Sequence, residues 1–301
     1  MKIGFIGLGK MGQQMVKRLL VAGHEVVALD VDQAAVEAVV QLGAIAATDR
    51  TDLIQKAGET PVIWLMIPAQ YVDNELDALQ ILLPSHSVLI DGGNSDFRLT
   101  LVRAERLKAV GISLVDVGTS GGVLGERDGF SMMIGGETAA VQTLSPLFEA
   151  LAHNQGWKHF GPAGAGHYIK MVHNAIEYGL MESYAEGYRM LKDGPYGDLQ
   201  LGAIGEVWEN GSIIASLLNR LTADILKQDP TLEQSNGIAE QSKSSEAIMT
   251  LEVAAARNIS LPAVQAAVDV RLASQNGDIS FATKLIAAQR HAFGGHQVPK
   301  S

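Results

Sequence analysis

Short β-branched apolar runs recur through the first half of the chain, at Lys2 to Ile6, Glu25 to Leu29, Val62 to Ile67, Ser87 to Ile90 and Ser113 to Asp116. Stretches of helical periodicity separate them. This alternation predicts an α/β domain of the Rossmann type, a doubly wound parallel sheet whose ligand loops lie at the strand ends. After Phe160 to Gly166 the pattern changes. A hydrophobic helical stretch of roughly 25 residues follows, then further helix-like segments at Ser212 to Leu226 and Ser244 to Ala256, and strand-like runs nearly vanish. The expected architecture is therefore a dinucleotide-binding domain over 1–163 and an all-α C-terminal domain over 164–301, ending in an extended tail from Gly294.

The first strand runs into Gly7, Leu8, Gly9, Lys10, Met11 and Gly12, a G-x-G-x-x-G pattern that opens an amphipathic helix. In that context the first glycine permits the tight turn, the second lets backbone approach a pyrophosphate, and the third lets helix and strand pack closely. The second strand ends in Asp30, Val31 and Asp32. A carboxylate there accepts hydrogen bonds from a ribose hydroxyl and repels a 2′-phosphate, which favours NAD over NADP. Valine stands at 31, where an arginine commonly grips the extra phosphate; Arg18 and Arg50 are the substitutes available elsewhere. The strand end Met66, Ile67 and Pro68, together with Asn94, is expected beside the cofactor.

Composition narrows the function further. The chain has 301 residues, 47% hydrophobic and 19% charged, the balance of a folded protein long enough for two domains. With no cysteine, it has no disulfides, thiolate metal site or cysteine nucleophile. A net charge of −10 argues against nucleic acid as a general partner but leaves room for a small anion held by a local cationic cluster. The start of the chain lacks a signal-peptide pattern, and its apolar runs are far shorter than the roughly 20 residues of a membrane span. A cytoplasmic protein without a membrane partner is expected.

The most informative stretch is 164–179. Lys170, His173, Asn174, Glu177 and Tyr178 fall at i, i+3, i+4, i+7 and i+8, one stripe of a helix otherwise built from Met171, Val172, Ala175, Ile176, Leu180 and Met181. A polar stripe on a mostly apolar helix needs a polar cleft to face, and these side chains supply a base, an acid and orienting donors. The bland alternative is an exposed face with surface ion pairs. A metal would need two or three ligands beyond His173 and Glu177, and no second pair at ligand spacing is present, so no metal is expected.

The run from Gly166 to Gly179 resembles the catalytic signature of the 6-phosphogluconate dehydrogenases. Asp91 to Ser95 is similar to the family's segment contacting cofactor and substrate, and Val117 to Gly122 to its substrate-binding loop. Trp208 to Ser212 and Gln289 to His296 also fit, so the resemblance spans nearly the whole chain. It implies oxidative decarboxylation of 6-phosphogluconate to ribulose 5-phosphate and CO2, with reduction of NAD or alternatively NADP, a step of the pentose phosphate pathway. Lys170 would transfer the proton at the 3-hydroxyl, and Glu177 would protonate C1 of the enediol. A lysine acts as a base near neutral pH only if its pKa is lowered, which burial beside His173 would favour.

By the same resemblance Asn94, Ser120, Gly121, Gly122, His173 and Asn174 position the substrate. Lys243, Arg271, Arg290 and His296 hold its phosphate, with Tyr178 and Ser245 as hydroxyl donors. The tail residues Arg290 and His296 would come from the neighbouring subunit of a homodimer or homotetramer. The chain departs from the long form in length, in Val123 where an acid is usual, and in a Lys243-Ser244-Ser245 segment without the typical tryptophan. Two rival readings remain. A β-hydroxyacid dehydrogenase of the 3-hydroxyisobutyrate type would oxidise without needing Glu177, and a silent dinucleotide-binding module would need neither Lys170 nor Glu177.

Overall fold

The computed structural model describes residues 1–238 and 245–295. The chain divides into two compact units, Met1–Lys170 and Met171–Ser301. In the first, one sheet contains β1 (Lys2–Ile6), β2 (Glu25–Leu29), β3 (Ile45–Ala46), β4 (Val62–Leu65), β5 (Val88–Asp91), β6 (Ser113–Ser120), β7 (Phe130–Gly135) and β8 (Ala152–Gly161). Their spatial order is β3-β2-β1-β4-β5-β6-β7-β8. The connecting helices are α1 (Lys10–Val21), α2 (Gln33–Val40), α3 (Arg50–Ala57), α4 (Ala69–Leu82), α5 (Phe97–Lys108), α6 (Gly125–Asp128), α7 (Thr138–Thr143) and α8 (Ser145–Leu151).

Strand periodicity explains the two layers. Ile3, Phe5, Val26, Ala28, Trp64, Ile90 and Val115 join one buried cluster with Met15, Val16 and Leu19 of α1. Val27, Ile63, Leu65, Leu89 and Leu114 join another with Leu53 of α3, Leu76 and Leu79 of α4 and Leu107 of α5. Alternate residues thus go to opposite faces, each covered by helices. The sheet order reverses direction at β1 and β4, and ligands of such sheets bind at the carboxyl ends of the strands flanking that point.

Several expected bounds shift. The run Val62 to Ile67 is strand only to Leu65, because Met66, Ile67 and Pro68 turn into α4, with Pro68 at its N-cap. The sheet is also not wholly parallel. β6 extends to Ser120 and pairs antiparallel with β7, whereas β1 to β6 run parallel and β7 and β8 pair parallel. The connection from Ser120 to Phe130 is too short for the helical crossover that a parallel pair requires.

The helix α9 (Ala165–Asp193), 29 residues long, runs through the division between the units. It is followed by α10 (Leu201–Glu209), α11 (Leu217–Gln228), α12 (Glu246–Ala256), α13 (Pro262–Gln275) and α14 (Phe281–Gly294), with no strand among the described residues of the second unit. Met181, Ala185 and Tyr188 of α9 pack with Leu201, Leu226, Leu285 and Ile286 into its core. The expected helix from Ser212 begins only at Leu217, because the Ser216 side chain caps it by accepting from Asn219 N–H. Similarly, Ser245 is the N-cap of α12.

Gly294 is the last residue of α14, and the tail expected beyond Gly295 lies outside the described residues. A capping box between Ser280 and Thr283 starts α14, and Gly295, with φ 60°, ends it in the left-handed conformation, so Arg290 lies within a helix.

Candidate active site

Gly7 has φ +100°, and a Cβ there would lie 2.4 Å from the Met66 carbonyl oxygen; one at Gly12 would lie 2.1 Å from that of Gly7. The two glycines therefore let α1 begin close against the ends of β1 and β4. At Gly9 a Cβ would meet nothing within 4 Å. The first turn of α1, at Lys10, Met11 and Gly12, contains no acid, and its N-cap Gly9 offers no side chain, a helix N-terminus suited to an anion. These features fit a dinucleotide, whose pyrophosphate would lie over Gly9.

Asp30 accepts from Leu8 N–H with one oxygen and from Asp32 N–H, at 2.8 Å, with the other. It ties the glycine loop to the end of β2. Asp32 instead caps α2 through Ala34 N–H at 3.0 Å, and Val31 is fully exposed. Both candidate substitutes for a 2′-phosphate-gripping arginine are engaged. Arg50 pairs bidentately with Glu75 at 2.8 and 2.7 Å, which raises its pKa further, and Arg18 donates to the carbonyls of Glu126 and Ala152.

Two buried aspartates at strand ends shape the rest of this unit. Asp91 accepts from Ser95 Oγ at 2.6 Å and from Gly93 N–H at 3.2 Å, and the buried Arg103 balances its charge at 3.5 Å. The resulting turn leaves Asn94 exposed. Asp116 accepts from the backbone N–H of Gly164 at 2.7 Å and of His167 at 2.8 Å, which fixes the first turn of α9. Buried His167 donates from Nε2 to the Asp91 carbonyl at 3.2 Å and meets Thr100 Oγ1 through Nδ1 at 2.8 Å.

Lys170, also buried, lies one turn farther along α9. A Cβ at Gly118 of β6 would come within 2.4 Å of the Lys170 Cβ, so glycine is what admits the lysine so close to the sheet. Ser120 ends β6, and Gly121 and Gly122 lead into a short 3-10 turn, Gly122–Leu124.

Along α9, His173 Nδ1 contacts Asn174 Oδ1 at 3.0 Å and lies 3.9 Å from Glu177 Oε2. In the second unit, the Arg271 guanidinium lies 3.4 Å above the Tyr178 ring and donates from Nη2 to Met181 Sδ at 3.4 Å. It is 1% exposed, and among the described residues its Nε and Nη1 have no hydrogen-bond partner. Burial pulls this guanidinium down to about 10; Tyr178, Glu177 and Glu182 oppose the shift, and the charge of Arg290 adds to it. Ser245 accepts from Ile248 N–H at 3.4 Å. Lys243 and His296 lie outside the described residues.

Sequence reasoning gave Asp91, Asp116, His167 and Glu182 no role of their own, although Asp91 and His167 fall in segments it singled out. The signals were an acid closing each of two apolar strands, and a polar stripe that continues from Lys170 back to His167 and from Tyr178 on to Glu182 at helical spacing. Among the described residues no helix is long and apolar enough to cross a membrane.

Residues 2–161 match the family model described as the NAD binding domain of 6-phosphogluconate dehydrogenase, and residues 166–283 match the model of that enzyme's C-terminal domain. The chain belongs to the 6-phosphogluconate dehydrogenase family. It is 38% identical to the NAD(+)-dependent, decarboxylating 6-phosphogluconate dehydrogenase of Haloferax volcanii, over 100% of this chain and 99% of that protein. Among solved structures, the 6-phosphogluconate dehydrogenase of Plasmodium falciparum, studied with NADP+ and with 6-phosphogluconate, is similar with a TM-score of 0.82 and 28% identity. That match covers 91% of this chain and 62% of the other. The 3-hydroxyisobutyrate dehydrogenase of Mycobacterium tuberculosis shares the fold, with a TM-score of 0.74 at 20% identity over 94% of this chain and 97% of that one.

Proposed function

We propose that this protein oxidatively decarboxylates 6-phosphogluconate to ribulose 5-phosphate and CO2, using NAD. The observation that carries this reading is Arg271, buried, with two of its nitrogens lacking an acceptor among the described residues, and stacked on Tyr178, which is adjacent in sequence to Glu177. A buried guanidinium in this condition calls for an anion such as the substrate phosphate. The alternative, a 3-hydroxyisobutyrate-type dehydrogenase, gives neither Arg271 nor Glu177 a task.

NAD held at the Gly7–Gly12 loop and Asp30 would supply the hydride acceptor for C3 of the substrate. Lys170 takes the proton of the 3-hydroxyl as the ketone forms, and this ketone lies β to the carboxylate. The bond to the carboxylate breaks, and its electrons pass to the ketone oxygen, which Lys170 reprotonates to give the enediol. Glu177 then donates a proton to C1 of the enediol while Lys170 takes back the proton of the adjacent hydroxyl, which becomes the ketone of ribulose 5-phosphate. In this scheme Asn94, Ser120, Gly121, Gly122, His173 and Asn174 hold the sugar chain.

NAD is favoured by Asp30 at the ribose position, by exposed Val31, and by the pairing of Arg50 with Glu75. We assign the protein to the cytoplasm and to a homodimer or homotetramer, in which Arg290 and His296 complete a neighbouring site. The exposed Val207, Ile213 and Leu217 of the second unit support association. Comparing turnover on 6-phosphogluconate, gluconate and 3-hydroxyisobutyrate tests the substrate reading. It expects the phosphorylated acid to lead; an equal or higher rate on 3-hydroxyisobutyrate would reject it.

A further inference from the structure

We propose that Glu182 competes with the substrate's anion for Arg271, so that an anion reaching this guanidinium is taken up together with a proton on Glu182. The inference rests on reading Arg271 as an anion-binding residue. Tyr178, Met181 and Glu182 occupy positions i, i+3 and i+4 of α9, one surface of the helix. The first two touch Arg271 directly, through the ring at 3.4 Å and through sulfur at 3.4 Å. Glu182 is 6% exposed, and its Oε2, like Nε and Nη1 of Arg271, has no hydrogen-bond partner among the described residues. Two opposite charges thus lie buried at the same stretch of α9 with hydrogen-bonding capacity unused on both.

Among the described residues, the other charged and titratable groups acting on this pair are Glu177, Tyr178 and Glu186 of α9 and Arg290 of α14. An ionised Glu182 offsets part of the Arg271 charge and repels an incoming dianion, the more strongly because both groups are buried. A protonated Glu182 does neither. Burial, and after it the charge of Glu186, pushes this carboxyl up to about 7 against the pull of Arg271, so the exchange falls in the neutral range. By linkage, a proton that strengthens anion binding is itself bound more tightly when the anion is present.

Sulfate is a suitable probe because it has no proton to gain in this range. Its binding to the full chain is measured calorimetrically from about pH 6 to about pH 8, in buffers of different ionisation enthalpy, for wild type and Glu182→Gln. The expected result is roughly tenfold tighter sulfate binding by the variant near pH 8, with the difference largely gone near pH 6. Proton uptake per sulfate should also be smaller in the variant near pH 7.5. Histidines contribute to both profiles alike, so the difference between the two proteins isolates Glu182.

An affinity ratio that does not change with pH, equal proton uptake, or no sulfate binding by either protein would overturn the proposal. If the variant does not fold, carbon NMR of the wild-type carboxyl groups replaces it. Sulfate should then raise the titration midpoint of Glu182, and an unmoved midpoint overturns the proposal. None of these measurements uses turnover, so failure of the decarboxylation reading is separately detectable.

Discussion

Asp116 of β6 accepts the backbone N–H of His167 at 2.8 Å, so one buried carboxylate holds the first turn of the helix that carries Lys170. The same side chain takes the N–H of Gly164 at 2.7 Å. Orphan donors at a buried helix start are costly, and here a charge satisfies two of them along the favourable direction of the helix dipole.

Asp116→Ala strands both donors. The expected loss is about 2–4 kcal/mol of stability, read from denaturant midpoints, with kcat falling more than the affinity for NAD. Unchanged stability would show that Asp116 does not hold the helix.

Asp30→Ala removes the carboxylate at the end of β2 that also receives Leu8 N–H. Binding of NAD should weaken by roughly tenfold more than binding of NADP, since the 2′-phosphate loses a repelling charge. Fluorescence titration of both nucleotides measures the ratio. Better binding of NADP than NAD by the unmutated protein would contradict the cofactor assignment.

The nucleotide loop was legible in the sequence because its chemistry is local. A glycine spacing, a strand before it and a helix after it specify Gly7, Gly9 and Gly12 without any distant partner. The polar stripe of α9 was legible for the same reason, as a matter of helical period. What escaped was non-local. That Asp116 meets Gly164 and His167, or that Arg50 is taken by Glu75, depends on strands and helices far apart in the chain. The antiparallel β7 follows from a short connection, which strand periodicity does not reveal. Arg290 read as part of a tail because Gly294 and Gly295 suggest an end, yet α14 continues through the first of them.

Glu177→Gln retains size but cannot make the proposed proton donation to C1. Turnover of 6-phosphogluconate should fall by roughly 10² to 10⁴, with substrate affinity little changed. Steady-state kinetics at saturating NAD checks this; near-normal turnover removes Glu177 from the proton-donating role.

Glu182 carries a pH signature in stability as well. Burial raises its carboxyl from the ordinary 4.5 to about 7 in the folded chain. The protonated form is therefore the one the fold favours, and its contribution is fully present below about 4.5 and lost as pH rises through about 7. Glu182→Gln is neutral throughout. Relative to wild type it should gain about 2–3 kcal/mol on moving from acid to alkaline conditions, seen as a widening difference in Tm. A constant difference between pH 5 and pH 8 would refute the shift.

The most direct measurement follows NADH formation and CO2 release together when the purified protein is given 6-phosphogluconate and NAD. Oxidative decarboxylation requires the two products in equal amounts, with ribulose 5-phosphate accumulating alongside them. NADH without CO2, or no NADH at all, would contradict it.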